Sequence, residues 1–225
     1  MSSGFTRPPF DPELQPALAL LSQSMAHTLT PETIGQARQT PMTPPPLEQF
    51  TGRELEWYDV TIPGHLGDDI VVTVLRKRGP TGVGPGIFHT HGGGMIVGDR
   101  FTGLELIAEW VERFGAVAVS VEYRLAPEHP DPYPIEDCYS GLLWTASNAA
   151  ELGIDPSRLI VAGGSAGGGL AAGVSLLARD RHGPNLAAQL LMCPMLDDRD
   201  QTLSTRQFDG VGVWDRAANN VGWTA

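Results

Sequence analysis

The sequence predicts an α/β fold, a mostly parallel sheet with helices on both faces and an antiparallel pair of strands at its start. Three observations carry this expectation. From residue 86 on, short apolar runs alternate with single stretches of helical periodicity. One run, Ala116 to Val121, is almost continuously apolar, as a strand buried on both faces must be. Ahead of these, two β-rich stretches flank Pro63-Gly64-His65-Leu66-Gly67, which reads as a hairpin turn. Apolar strands spaced by single helices need crossover connections, and such crossovers are right-handed and build parallel sheets.

In chain order, residues 1–50 stand apart. Proline clusters there (Pro8, Pro9, Pro12, Pro16, Pro41 and Pro44-Pro45-Pro46) around short apolar pieces such as Leu14 to Met25. That pattern predicts one or two short helices closed by a stiff connector, with a disordered tail as the alternative. Glu54 to Ile62 and Asp69 to Leu75 are the two arms of the hairpin. Gly86 to Thr90 is a short strand, and Leu104, Ile107, Ala108, Val111 and Phe114 recur at helical spacing. After the strand Ala116 to Val121 come a helix over Ile135 to Ala150, a strand Leu159 to Ala162, a helix Ala166 to Arg181 and a strand Leu186 to Met192. A last helix covers Trp214 to Ala225. The chain is expected to divide into residues 1–50 and a core of 51–225.

The bulk composition narrows the function. At 225 residues and 41% hydrophobic, the chain can bury a sizeable core. A formal net charge of −11 argues against a nucleic-acid partner, which calls for a basic face. Lys77 is the only lysine and sits between Arg76 and Arg78, so it reads as a solvated strand end and not as a Schiff-base residue. Cys138 and Cys193 lack Cys-x-x-Cys spacing and are expected as two buried thiols in a reducing compartment. No apolar run has the length of a signal core or a membrane span, and the expected location is the cytoplasm.

In open α/β sheets the functional groups gather at the carboxyl ends of the strands. Gly163-Gly164-Ser165-Ala166-Gly167 stands at such an end, between a strand and a helix, and fits Gly-x-Ser-x-Gly. A sharp strand-to-helix turn holds the serine in a strained conformation and lifts its Oγ out of the sheet. Residues two positions away on either side must then be as small as glycine, here Gly163 and Gly167. Gly167-Gly168-Gly169-Leu170-Ala171-Ala172 also matches a dinucleotide fingerprint in form, but these glycines fall inside the helix that Ser165 opens. A phosphate-binding loop lacks its Gly-Lys-Ser/Thr ending. His91-Gly92-Gly93-Gly94 follows an earlier strand, and consecutive glycines there expose N–H groups of the kind that acyl transfer needs for its oxyanion. The competing reading, His89-Thr90-His91 as a metal pair, finds no matching ligand set in His27, His65, His129 or His182. No metal and no cofactor are expected.

Taken together, His91-Gly92-Gly93-Gly94-Met95, Tyr123-Arg124-Leu125-Ala126-Pro127-Glu128-His129-Pro130 and Gly163-Gly164-Ser165-Ala166-Gly167-Gly168 resemble the hormone-sensitive-lipase-like (family IV) carboxylesterases of the α/β-hydrolase fold. The resemblance runs from about residue 50 to residue 225. It implies a serine carboxylesterase with an N-terminal helical cap over its pocket. It further implies Ser165 as nucleophile, the N–H groups of Gly93, Gly94 and Ala166 as oxyanion hole, and His91 as a brace of the glycine loop. Arg124, Glu128 and His129 are implied as a buried polar network. Two departures stand out: Gly164 occupies a position usually filled by Asp or Glu, and Asp131-Pro132 is an extra pair before Tyr133-Pro134.

A serine hydroxyl also needs a histidine to take its proton and an acid to orient that histidine. In this fold the order is serine, acid, histidine. The only histidine after Ser165 is His182, and a helix of that length at about 1.5 Å per residue puts it roughly 25 Å away. Asp197, Asp198, Asp200, Asp209 and Asp215 are available carboxylates, but the resemblance implies an acid that lies after a further strand. No triad acid or histidine is therefore found in residues 1–225, and two further strand–helix units are expected beyond them. The leading function is hydrolysis of small uncharged carboxylic esters through an acyl-enzyme on Ser165. The alternative is a catalytically silent module that binds a small ligand on the same scaffold.

Overall fold

The computed structural model describes residues 6–24, 29–39, 42–79 and 82–225. Met25, His27 and Pro41, which entered the reading above, lie outside the described residues. The elements run α1 (Gln15–Ser24), α2 (Ile34–Ala37), α3 (Pro46–Phe50), β1 (Leu55–Pro63), β2 (Asp69–Lys77), β3 (Gly84–Thr90), α4 (Leu104–Phe114), β4 (Val117–Glu122), α5 (Tyr133–Ser147), α6 (Ala149–Leu152), β5 (Ile154–Gly164), α7 (Ala166–Asp180), β6 (Ala188–Met192), α8 (Leu203–Gln207) and α9 (Arg216–Thr224).

Among the described residues six strands form one sheet in the order β1-β2-β4-β3-β5-β6. β1 and β2 are the expected antiparallel hairpin, and β2 continues antiparallel onto β4. From β4 through β3 and β5 to β6 all pairing is parallel, with α4, α5 and α7 in the connections. The period-2 alternation of strands sorts the side chains onto two faces. Leu75, Ile87, Ala118 and Ala162 join Leu104, Ile107, Ala108 and Val111 of α4 in one core. Their neighbours Val74, Phe88, Val119 and Val161 join Leu142 of α5 and Leu170 and Val174 of α7 in the other. Both faces are covered, which is why these strands read as continuous apolar runs. At α4 the helical stripe overshoots by one position. Phe114 is exposed because the helix ends there at Gly115 (φ +61°), and the Arg113 guanidinium lies 5.3 Å from its ring centroid.

The chain separates into two compact units, residues 1–40 with 197–225, and residues 41–196. The expected boundary at residue 50 differs from this. α3 belongs to the sheet unit, where Phe50 is buried and packs at 5.2 Å against the Trp57 ring. In the other unit Phe10 packs against Phe208 at 5.9 Å, Arg7 lies 4.1 Å from the Phe10 ring, and Gln207 Nε2 donates to the Thr6 carbonyl. Asp215 caps α9 by accepting from the Ala218 N–H at 2.8 Å. Cys138 is buried as expected, but Cys193 is exposed, because it follows the last residue of β6 in a left-handed turn (φ +40°).

Candidate active site

β5 ends at Gly164 and α7 begins at Ala166, so Ser165 is the whole of the connection. Its backbone sits at φ +55°, ψ −122°, a conformation that costs a non-glycine residue about 1–3 kcal/mol. Three hydrogen bonds hold it there. The Ser165 N–H donates to Met192 O at 2.9 Å, and Ser165 O accepts from Met195 N at 2.9 Å and Gly169 N at 3.1 Å. The glycines around it answer to contacts. A Cβ on Gly163 would stand 2.3 Å from Gly167 O, and one on Gly167 would stand 2.1 Å from Thr90 O. Gly168 and Gly169 leave room for the chain after β6, since their Cβ atoms would stand 3.0 Å from Pro194 and 2.2 Å from Met195 O. Gly164 is different: its nearest neighbour would be Met192 O at 4.0 Å.

The glycine loop leaves the carboxyl end of β3, the neighbour of β5. Gly93, Gly94 and Met95 all have positive φ (+117°, +64° and +64°), and Gly93 O accepts from Ile96 N and Val97 N. His91 is fully buried, its Nδ1 donates to Gly92 O at 2.8 Å, and its ring stacks on Tyr123 at 4.0 Å and 11°. The Tyr123 hydroxyl donates to His91 O at 2.9 Å. Burial holds the His91 pKa below the ordinary histidine value, so the imidazole stays neutral. The loop lies against the serine corner: a Cβ on Gly92 would stand 3.1 Å from Gly164 O and 3.6 Å from Ser165 Cβ. The N–H groups of Gly93, Gly94 and Ala166 take part in none of the hydrogen bonds among the described residues. At Ala166 this follows from its place as first residue of a helix.

The other described histidines have different surroundings. His65 and His129 each pack on the Tyr133 ring at 5.2 Å, and His182 follows the end of α7. His89 is buried in the sheet with Nδ1 2.8 Å from Ser120 Oγ; that hydroxyl donates to Arg100 O at 2.6 Å, so Nδ1 carries the proton. Burial, the largest cause, pushes the His89 pKa down to about 3 from 6.5. The fold thus retains neutral His89 while the unfolded chain takes up a proton below pH 6.5. This share of stability is whole above pH 6.5 and falls away toward pH 3, at up to about 1.4 kcal/mol per pH unit. Acid titration followed by imidazole NMR should show no His89 transition between pH 8 and pH 5; a transition near 6.5 would contradict it. Among the described residues no group of three or more His, Cys, Asp or Glu comes together to hold a metal ion.

The expected network of Arg124, Glu128 and His129 needs correction. Glu128 is exposed and His129 half-buried. Arg124 turns instead to Asp137 of α5, giving it Nε and Nη2 at 2.8 Å each, and to Asp68 and the His65 carbonyl. Sequence reasoning missed Asp137, whose signal was a lone carboxylate on the apolar face of α5, and Thr90, whose hydroxyl lies buried beside the serine corner.

A profile of the alpha/beta hydrolase fold matches residues 87–225. Carboxylesterase NlhH of Mycobacterium tuberculosis is 38% identical over 186 residues, covering 81% of this chain and 57% of that protein. Among solved structures, the bacterial heroin esterase superposes with a TM-score of 0.82 at 35% identity, covering 95% of this chain and 67% of that one. A thermostable esterase from Pseudomonas putida gives 0.79 at 31% identity, covering 99% and 69%. The chain spans a little over half the length of the first of these proteins and about two thirds of the others. Among the described residues no helix is long and apolar enough to cross a membrane. A glycine loop beside a strained serine corner on a mostly parallel sheet, together with these likenesses, means that the chain belongs to the alpha/beta hydrolase fold family, in its hormone-sensitive-lipase-like branch.

Proposed function

We propose that the chain carries the nucleophile and oxyanion hole of a serine carboxylesterase acting on small uncharged esters. The observation behind this reading is the strained corner at Ser165 set against a glycine loop, with three N–H groups left over. Ser165 Oγ attacks the ester carbonyl carbon and its proton passes to a base. The carbonyl oxygen takes up the negative charge, held by the N–H groups of Gly93, Gly94 and Ala166. As the tetrahedral species collapses, the base returns the proton to the departing alcohol, which leaves an acyl-enzyme. Water then attacks by the same route and frees the acid. His91, Gly163 and Gly167 support this arrangement without touching the reacting atoms. In the same reading residues 1–50 are the cap segment.

In this reading none of the described histidines serves as that base. His89 and His91 commit Nδ1 to neighbours and are buried, while His182 lies past a helix of 15 residues. Asp197 pairs with Arg199 and Asp200 with Arg216. In this reading the base and its orienting acid are not among the described residues. The test is covalent capture by a fluorophosphonate in the natural gene product, read by peptide mass. The expected result is one adduct on Ser165, lost in Ser165→Ala. Equal labelling of both proteins, or no adduct at Ser165, would sink the reading and favour the ligand-binding module.

A further inference from the structure

We propose that Thr90 is a positioning residue of this site: its hydroxyl ties the strand that presents Gly93 and Gly94 to the first turn of the helix that presents Ser165 and Ala166. The inference rests on the esterase reading above and adds to it a residue that neither the glycine loop nor the Gly-x-Ser-x-Gly corner contains. The sheet alone does not join the two halves. The β3–β5 ladder ends at the pair Thr90–Gly163, and beyond it the chains part, one into the glycine loop and one into the serine corner. The proposed oxyanion donors come from both branches, so their mutual placement depends on whatever links the branches past the end of the ladder.

Thr90 supplies that link. It is fully buried, and Oγ1 donates to Gly167 O at 2.7 Å, with Ala162 O at 3.4 Å. Gly167 is two residues past Ser165 and one past Ala166, so the bond reaches the first turn of α7 directly. Among the described hydrogen bonds no other joins β3 or the glycine loop to α7. The approach is otherwise made of acceptors. A Cβ on Gly167 would stand 2.1 Å from Thr90 O and 2.6 Å from His91 O, so two carbonyl oxygens already face this glycine. The hydroxyl hydrogen gives the contact an attractive, directional component. Gly163 keeps space for it, since a Cβ there would stand 2.6 Å from Thr90 Oγ1.

The magnitudes separate a positioning role from a purely structural one. A neutral hydrogen bond adds little to stability, because the unfolded chain satisfies the same groups with water. A misplacement of about 1 Å at a reacting centre, by contrast, can cost about 10²-fold in rate. Loss of the hydroxyl should therefore be seen in the chemistry of Ser165 and hardly in folding.

The experiment compares the natural gene product with Thr90→Val, which keeps the branched shape, and Thr90→Ser, which keeps the hydroxyl. Three readouts are taken: the second-order rate of fluorophosphonate capture at Ser165, the melting temperature, and alkylation of exposed Cys193. Cys193 lies between the two residues that clamp the Ser165 backbone, so it reports whether the corner itself has loosened. Thr90→Val should slow capture about 10- to 100-fold, with melting within about 4 °C and Cys193 alkylation unchanged. Thr90→Ser should recover capture to within about threefold. Capture by Thr90→Val at the unsubstituted rate overturns the inference while leaving the esterase reading intact. So does a loss that Thr90→Ser fails to restore, or one matched by faster Cys193 alkylation. Absence of capture in the unsubstituted protein overturns both.

Discussion

Gly167→Ala is expected to lose covalent capture at Ser165 by at least about 10²-fold and to lower stability by about 3 kcal/mol or more. The added methyl carbon would lie 2.1 Å from Thr90 O, 2.6 Å from His91 O and 2.7 Å from the His91 carbonyl carbon. All three are backbone atoms at the end of β3, a strand buried between β4 and β5, so no flexible side chain can yield. Relief has to come from moving α7 away from the glycine loop, which parts Ser165 and Ala166 from Gly93 and Gly94. For a chain of this size the loss corresponds to roughly 6–12 °C in melting temperature. Gly164→Ala is the control. Its Cβ would meet nothing nearer than Met192 O at 4.0 Å, and Gly164 is not among the glycines of positive φ, so the substitution should be neutral or stabilising by about 0.4–1 kcal/mol. Equal melting temperatures for the two variants would mean that the closeness of β3 and α7 is not what holds the corner.

Asp137→Ala is expected to cost about 3–5 kcal/mol, because it strands a guanidinium that is 13% exposed without its main counter-charge. The Asp137 carboxylate is fully buried and accepts from four donors: the N–H groups of His65 and Arg124, and Nε and Nη2 of Arg124. It thereby joins three parts of the chain, the hairpin turn, the segment after β4 and the start of α5. The hydrogen bonds to Asp137 in turn raise the pKa of Arg124, so the cation persists at every working pH. Asp68→Ala removes the other partner, whose side chain is 67% exposed, and should cost less than about 1 kcal/mol. Chemical denaturation of both variants decides the matter. Similar losses would mean that the pair acts as a surface contact, and that the carboxylate in α5 is not the anchor of the hairpin turn.

Much of the fold was legible because its causes are local. The hairpin stands where Pro63 to Gly67 break two β-rich stretches, and each crossover helix lies where apolar residues recur at helical spacing. β5 was read too short. It starts at Ile154, ahead of Asp155-Pro156-Ser157-Arg158, which looks like a turn by composition. Only the pairing of Ile154 with Gly84, across a register shift, draws that stretch into the sheet. Cys193 was read as buried because it lacks Cys-x-x-Cys spacing, whereas its exposure depends on how the chain leaves β6. The two compact units were likewise hidden, since their segments are distant in sequence.

The serine corner itself was written into the sequence, for a steric reason. A residue forced to φ +55° between strand and helix can be flanked only by glycines that the chain can fold back upon, and Gly163 and Gly167 announce that need by identity alone. The partners of the corner were not. Thr90 lies 77 positions from the carbonyl it binds, and Arg124 and Asp137 meet only because α5 crosses back over the sheet. Backbone conformation is imposed by neighbours along the chain and so can be read from them. Hydrogen-bond partners are chosen by proximity in space, which exists only after the strands have paired and the helices have packed.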